Sequence, residues 1–288
     1  MFALISKDAG GAEYISRYVK KINDKFCISS IGPAKEIFKQ NFKNKKIIEY
    51  KEAINRSSWV LCSTGTSSDF EKKAMIYAQK KKKRLIVFLD SWTEYKERFL
   101  YRGKIIKPDK ILVSDIYAYK LAKKNKFKNI KIVGNPYIKD FKKYLKLYKN
   151  KKKIFLKKKF LFLTEPVGQH LKKYYTEKSC LKFFLSNSHI FRNKYSKIHV
   201  RPHPSENVNK YSWVKKISKD IKISKKNHLY KDILESNIII GINTIAMVLG
   251  LIAKKKVISC IDANKKCELP HKKIIYFKNI LKTNTLLL

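Results

Sequence analysis

Acidic side chains are scarce in this chain: 22 Asp and Glu stand against 67 Lys and Arg in 288 residues, a formal charge of +45. Such a balance ordinarily points to nucleic acid or to an anionic membrane. No RNP-type, zinc-finger or helix-turn-helix pattern accompanies it, and the lysines are spread along the whole length, so nucleic acid is not the expected partner. The excess is mostly Lys, in the company of many Asn, Ile, Tyr and Phe, the residues of AT-rich codons. Much of the charge therefore reads as drift on solvated faces. Anionic lipid head groups fit the remainder better, since each surface Lys adds about 1 kcal/mol there.

Other absences narrow the class further. The five cysteines (Cys27, Cys62, Cys180, Cys260, Cys267) are odd in number and form no CxxC pair. Cys62 and Cys260 lie in apolar runs and read as small buried hydrophobes, which suits a reducing cytoplasm. Met1 to Ile5 is too short an apolar run, with no basic segment before it, for a signal peptide. The longest apolar stretch, Asn237 to Ala253, is interrupted by Asn243 and Thr244, and a strand, turn and helix explain it better than a membrane span. The absence of a GxSxG or P-loop motif argues against hydrolase and kinase chemistry. No His/Cys/Asp cluster has metal-ligand spacing, so neither a metal nor a cofactor is expected.

What is present is apolar content of 44%, enough for real cores, and a regular alternation of strand and helix signals. Phe2 to Ile5 reads as a strand ending in Ser6-Lys7-Asp8-Ala9-Gly10-Gly11, followed by a helix from Ala12 to about Ile22. Strands follow at Phe26–Ile31, Ile47–Ile48, Trp59–Cys62, Leu85–Leu89, Lys110–Val113 and Ile130–Val133. Helices fall between them, notably Ala34–Gln40 and Phe70–Lys80. A Lys-rich helix and connector from Phe141 to Lys159 separates this half from a second alternation. Its strands are expected at Phe160–Leu163, around Ile198, at Lys222–Ser224, Ile238–Ile240 and Lys256–Ile261. Its helices are expected near Tyr174–Leu185 and Ile245–Ala253. Alternation of this kind predicts parallel, doubly wound sheets. The fold class is therefore α/β, with two Rossmann-like domains, 1–148 and 149–288, facing a central cleft.

The most informative stretch is Lys197-Ile198-His199-Val200-Arg201-Pro202-His203-Pro204-Ser205-Glu206. It reads as a short buried strand entering a loop stiffened by two prolines that hold His203 between them. Arg201 supplies a fork suited to oxyanions, and Glu206 is read as opening a helical segment through Trp213. Thr164-Glu165-Pro166 ends an earlier strand. Gly241-Ile242-Asn243-Thr244 ends a later one, with Thr244 placed to cap the next helix. Singly these are a turn, a proline loop and an ordinary cap. Together, at the carboxyl ends of strands and beside a helix N-terminus, they describe a nucleotide-phosphate pocket.

Two Rossmann-like halves, an R/K-P-H-P loop and a hydroxyl residue at a late helix start resemble the GT-B glycosyltransferases. The resemblance is nearest to bacterial sialyltransferases and related capsule or lipooligosaccharide enzymes that use CMP-activated sugars. It implies that His203 contacts the nucleotide phosphate and that Thr244 is one of a hydroxyl pair, with Asn243 standing where the pair's other member would be. Glu165, Arg201 and Glu206 complete the expected nucleotide-binding set. The family's acidic-Gly motif is absent, so the base must be argued from position. Asp8, Asp69, Asp90 and Asp115 all sit at strand ends in the first half. Asp8, before Gly10-Gly11, ranks first and Asp90 second; Asp69 and Asp115 have helix caps as their plain alternative. Gly10, Gly11, Thr66 and Asp69 are the expected acceptor contacts.

The resulting expectation is transfer of a sugar, such as a CMP-activated nonulosonic acid, from a nucleotide donor to a surface-glycan or lipid-linked acceptor. It would take place in the cytoplasm or at the inner face of the membrane, in peripheral contact with anionic lipid. The rivals are an enzyme of the UDP-N-acetylglucosamine 2-epimerase type, which shares the architecture, and a non-catalytic basic binding module.

Overall fold

Strands buried on both faces read as unbroken apolar runs, and such runs organise both halves of the chain. The computed structural model describes residues 1–66, 68–149, 158–167, 175–191, 195–224, 228–262 and 265–283. Ser67, His170, the expected helix start at Tyr174 and the connector at 150–157 lie outside them. Packing divides the chain into two units, Met1–Lys139 and Asp140–Leu288. The sequence places that division at 148/149; the packing places it inside a helix, between Lys139 and Asp140.

The first unit alternates β1 (Phe2–Ser6), α1 (Ala9–Val19), β2 (Phe26–Ser30), α2 (Pro33–Asn41), α3 (Tyr50–Asn55), β3 (Trp59–Cys62), α4 (Phe70–Lys80) and β4 (Arg84–Leu89). A small antiparallel hairpin, β5 (Leu100–Tyr101) and β6 (Lys104–Ile105), precedes β7 (Lys110–Val113), α5 (Ile116–Lys124), β8 (Ile130–Ile132) and α6 (Pro136–Lys149). Six of these strands form one parallel sheet in the order β2-β1-β3-β4-β7-β8. Phe2, Leu4, Tyr14, Ile15, Phe38, Leu61 and Phe88 pack one side of it. Each side chain of this size contributes about 1.5–3 kcal/mol on full burial.

In the second unit β9 (Lys158–Leu163), α7 (Glu177–Ser186), β10 (Tyr195–Arg201), β11 (Ile221–Ile223), α8 (Leu229–Leu234), β12 (Ile238–Gly241), α9 (Ile245–Ile252), β13 (Lys256–Ser259), β14 (Ile275–Tyr276) and α10 (Phe277–Thr283) follow in turn. The sheet is again six-stranded and parallel, ordered β11-β10-β9-β12-β13-β14. Phe160, Phe162, Phe184, Val200, Tyr211, Ile238, Ile240 and Phe277 form its aromatic-rich core. In each sheet the strand order reverses once, between β1 and β3 in the first and between β9 and β12 in the second. Such reversals leave a crevice at the carboxyl ends of the two strands, where ligands of open α/β sheets bind.

Several sequence expectations are corrected. Gly10 and Gly11 are not a turn but belong to the first turn of α1, which begins at Ala9. A Cβ on Gly11 would lie 2.6 Å from the Ser63 Cβ, so the glycine lets the helix pack against the end of β3. Ile47–Ile48 is not a strand: Ile47 makes a single bridge to Ile28. Glu49 then starts α3 by accepting from the backbone N–H groups of Lys51 and Glu52. Glu206 does not open a helix either; a short 3-10 segment starts only at Val208.

Candidate functional site

In the first unit, four loops bring carboxylates to the carboxyl end of the sheet. Asp8 follows β1, and its backbone carbonyl accepts from Ala12 N–H at 3.0 Å while its side chain leaves the cap unmade. The carboxylate instead lies over Gly65: a Cβ there would stand 2.3 Å from Asp8 Oδ2 and 3.5 Å from Glu71 Oε1. Glu71, in the first turn of α4, is 1% exposed. Its Oε1 accepts from Lys7 N–H at 2.8 Å, and its Oε2 has no hydrogen-bond partner. Burial, then the charge of Asp8, push the Glu71 carboxyl up to about 7 against the pull of backbone N–H donors.

Asp90 closes β4. Its Oδ1 accepts from Thr64 Oγ1 at 3.2 Å and from Arg98 Nη1 at 3.1 Å. Its Oδ2 lies 3.2 Å from where a Cβ on Gly10 would be. Burial raises its carboxyl above the ordinary value, Arg98 opposes this, and the charge of Asp8 adds to it. Arg98 also donates to the carbonyls of Thr64 and Thr93, so one guanidinium ties the β3 and β4 loops together. Thr66 Oγ1 donates to Glu94 Oε2 at 3.2 Å, and Glu94 sits at φ 57°, a conformation costly for a non-glycine residue.

Asp8, Asp90, Gly10, Gly11 and Thr66 therefore gather at one end of the first sheet. Asp69 makes no side-chain cap bond; its exposed carboxylate forms an ion pair with the buried Lys72 at 3.6 Å. Asp115 is the helix cap that was its plain reading: Oδ1 accepts from Ala118 N–H at 2.8 Å, and both of its oxygens accept from Trp92 Nε1. Glu71, Arg98 and Thr64 were missed. A glutamate in a helix's first turn normally faces water, and the reach of Arg98 back to Asp90 has no signature in spacing.

In the second unit the prolines do hold His203 at the end of β10, but the loop is organised by Glu206. The Glu206 carboxylate is 3% exposed. Oε2 accepts from Thr164 Oγ1 at 2.5 Å and from His203 N–H at 3.2 Å; Oε1 accepts from Tyr211 OH at 2.7 Å and Lys210 Nζ at 2.9 Å. Burial would raise this carboxyl, yet donation from Thr164, Tyr211, Lys210 and His203 outweighs it and holds it below the ordinary value. Thr164 Oγ1 also accepts from His203 N–H at 3.0 Å. The His203 ring meets Ser205 at Nδ1, with Oγ at 2.8 Å and the backbone N–H donating at 3.3 Å. Acceptance at Nδ1 places the proton of the neutral ring on Nε2, the donor that a phosphate oxygen needs.

The oxyanion that Arg201 serves is a protein one: Nη1 donates to Oδ2 of Asp232, a fully buried carboxylate, at 2.6 Å. Ser224 Oγ donates to the same oxygen. Asn243 is likewise structural. Its backbone N–H donates to Glu165 Oε2 at 2.9 Å, its Nδ2 to Tyr175 OH at 3.2 Å, and its Oδ1 accepts from Glu268 N–H at 2.8 Å. Asn243 thereby ties the β9 loop to the β12 loop across the strand reversal. Thr244 is the N-cap of α9, its Oγ1 accepting from Ala246 N–H at 3.4 Å. No described residue accepts its hydroxyl proton.

With these geometries in hand, comparison with known proteins is informative about architecture. No protein-family model matches the chain, and no curated protein matches it in sequence. Solved structures do match. The UDP-GlcNAc 2-epimerase of Methanocaldococcus jannaschii, solved with UDP-GlcNAc and UDP, is similar at a TM-score of 0.66 and 15% identity, over 98% of this chain and 91% of that one. The UDP-GlcNAc 2-epimerase of Neisseria meningitidis bound to UDP-GlcNAc matches at a TM-score of 0.67 and 12% identity, over 98% and 90%. The wall teichoic acid polymerase TagF matches at 0.55 and 13%, over 99% and 78%. The fold is GT-B. At such identities the likeness is one of fold, and the GT-B architecture here consists of two parallel sheets of six strands each. Among the described residues no helix is long and apolar enough to cross a membrane, and no group of His, Cys, Asp and Glu could hold a metal.

Proposed function

We propose that this chain acts on a nucleotide sugar. The observation that carries the reading is the strand reversal of the second sheet, where the loops after β9, β10 and β12 are joined by direct hydrogen bonds beside the N-terminus of α9. His203 and Thr244 would contact the diphosphate or monophosphate, with backbone N–H groups of α9 adding to the field. Thr164, Glu165, Arg201, Glu206 and Asn243 are assigned to holding those loops in place. The matched structures solved with UDP-GlcNAc and UDP support a nucleotide ligand for this architecture.

The reaction assigned first is transfer of the sugar to a glycan or lipid-linked hydroxyl. Asp8, half-buried beside the first turn of α1, would take the acceptor's proton as that oxygen attacks the anomeric carbon and the nucleotide leaves. Asp90, held by Arg98 and Thr64, is assigned second. The donor is proposed as a sugar nucleotide of the CMP or UDP class, and contact with anionic lipid as the role of the excess lysines.

A second reading, epimerisation of a UDP-sugar, is favoured by Asp8, Asp90 and Glu94 lying in the strand-end loops of the first sheet. Inverting a carbon requires an acid and a base at one place, and the raised Asp90 carboxyl has the character of an acid. Incubation with UDP-GlcNAc in deuterated water separates the two. Deuterium in the recovered sugar nucleotide supports epimerisation; unlabelled donor consumed only with added acceptor supports transfer; neither reaction, with CMP- and UDP-sugars tested, removes both.

A further inference from the structure

The buried carboxyl of Glu71 is not accounted for by packing or by capping. Its Oε1 holds the Lys7 N–H, and its Oε2, enclosed by protein, makes no hydrogen bond, although the backbone N–H groups of Asp8 and of Glu71 itself lie near the carboxyl. An ionised carboxylate so placed is only partly satisfied and is disfavoured. The side chain shares its surroundings with Asp8: the two lie on either side of the space that Gly65 leaves by lacking a Cβ. The groups around Glu71 are Asp8 after β1, Cys62 at the end of β3, and, through Asp8, the Asp90–Arg98 pair after β4. On its own helix Lys72 is engaged with Asp69.

We propose that Glu71 is kept as the carboxylic acid beside Asp8, and that this neutral carboxyl positions the Asp8 carboxylate. Glu71 is then a positioning residue, acting through Asp8 and not on the substrate. Its proton is held by burial and by the neighbouring negative charge, so removing that charge makes Glu71 easier to ionise. The inference rests on the nucleotide-sugar reading only for its catalytic meaning; the protonated Glu71 is itself a property of the free protein.

Carboxyl NMR of the full chain, with isotope-labelled Asp and Glu side chains, tests it without substrate. The resonance lost in Glu71→Gln should titrate near neutral pH, where burial and Asp8 hold it. In Asp8→Asn the same resonance should titrate at lower pH, toward that of an ordinary glutamate. Where activity is found, Glu71→Gln should remove the inflection near neutral pH from kcat/KM while leaving nucleotide affinity unchanged. A Glu71 resonance that titrates with the surface glutamates, or one indifferent to Asp8→Asn, overturns the proposal. Asp8→Asn alone serves this comparison if Glu71→Gln does not fold. Failure of the chain to bind any nucleotide would sink the functional reading and leave this titration intact.

Discussion

Glu206 gives the sharpest prediction, because one carboxylate satisfies four donors from three segments. Glu206→Gln keeps the shape and leaves a single carbonyl acceptor. At least two of the Thr164 hydroxyl, the His203 N–H, the Tyr211 hydroxyl and Lys210 then lose their bond to this residue, although His203 keeps Thr164 Oγ1 and Lys210 keeps Glu177. Tyr211 is fully buried, so its hydroxyl cannot turn to water, whereas Lys210 is 38% exposed and can. A buried donor left unsatisfied costs about 1–3 kcal/mol, and the exposed lysine adds little, so the variant should lose about 1–3 kcal/mol. The pH dependence has a definite sign. Glu206 titrates lower in the folded chain than unfolded, so its contribution is present above its unfolded value of 4.5 and is lost as pH falls through the folded one. The assay is urea unfolding at pH 7 and at pH 4. Wild type should lose part of its advantage over Glu206→Gln on acidification. Equal stability of the two proteins at pH 7, or an advantage unchanged by acid, refutes the account of the loop.

Three further outcomes follow from the same geometry. Gly11→Ala puts a methyl 2.6 Å from the Ser63 Cβ and should cost about 1–3 kcal/mol in urea unfolding, with part recovered in Gly11→Ala/Ser63→Gly; an unperturbed single variant would contradict the packing of α1 on β3. Asp8→Asn should lower turnover about 10²–10⁴-fold with nucleotide affinity unchanged, while Asp90→Asn should instead lower stability, since it leaves Arg98 beside an amide; the reverse pattern in paired kinetic and unfolding assays makes Asp90 the base. If the lysines serve a membrane, the chain should sediment with anionic vesicles and dissociate as salt rises, and equal recovery on neutral vesicles would return them to codon drift.

The contrast between fold and site is instructive. Phe70–Lys80, Trp59–Cys62 and Lys110–Val113 are where the residues place them, because parallel strands covered on both faces are apolar throughout and are punctuated by Gly, Asp, Ser and Pro. Ile47–Ile48 has the same local pattern but lies at the sheet's edge, where Glu49 starts a helix before a ladder can form. β14 and α10 carry too short a signal to stand out beside Cys267–His271. The strand-end positions of Asp8, Asp90, His203 and Thr244 were legible because position at a strand end is a local property. The parts played by Arg201, Asn243 and Glu206 were not. Each depends on a partner distant in sequence: Asp232 for Arg201, Tyr175 and Glu268 for Asn243, Thr164 for Glu206. Their residue types suited a phosphate as well as they suited one another.

The central claim is that the strand reversal of the second sheet holds a nucleotide through His203 and Thr244. Calorimetric titration of CMP, UDP, GDP and their sugars into the wild-type chain and into His203→Ala and Thr244→Val tests it most directly. The account predicts saturable binding of one nucleotide class, weakened by about 1.5–3 kcal/mol in His203→Ala, with both variants folded. Folded variants that bind the nucleotide as tightly as wild type, or a wild-type chain that binds none, would contradict it.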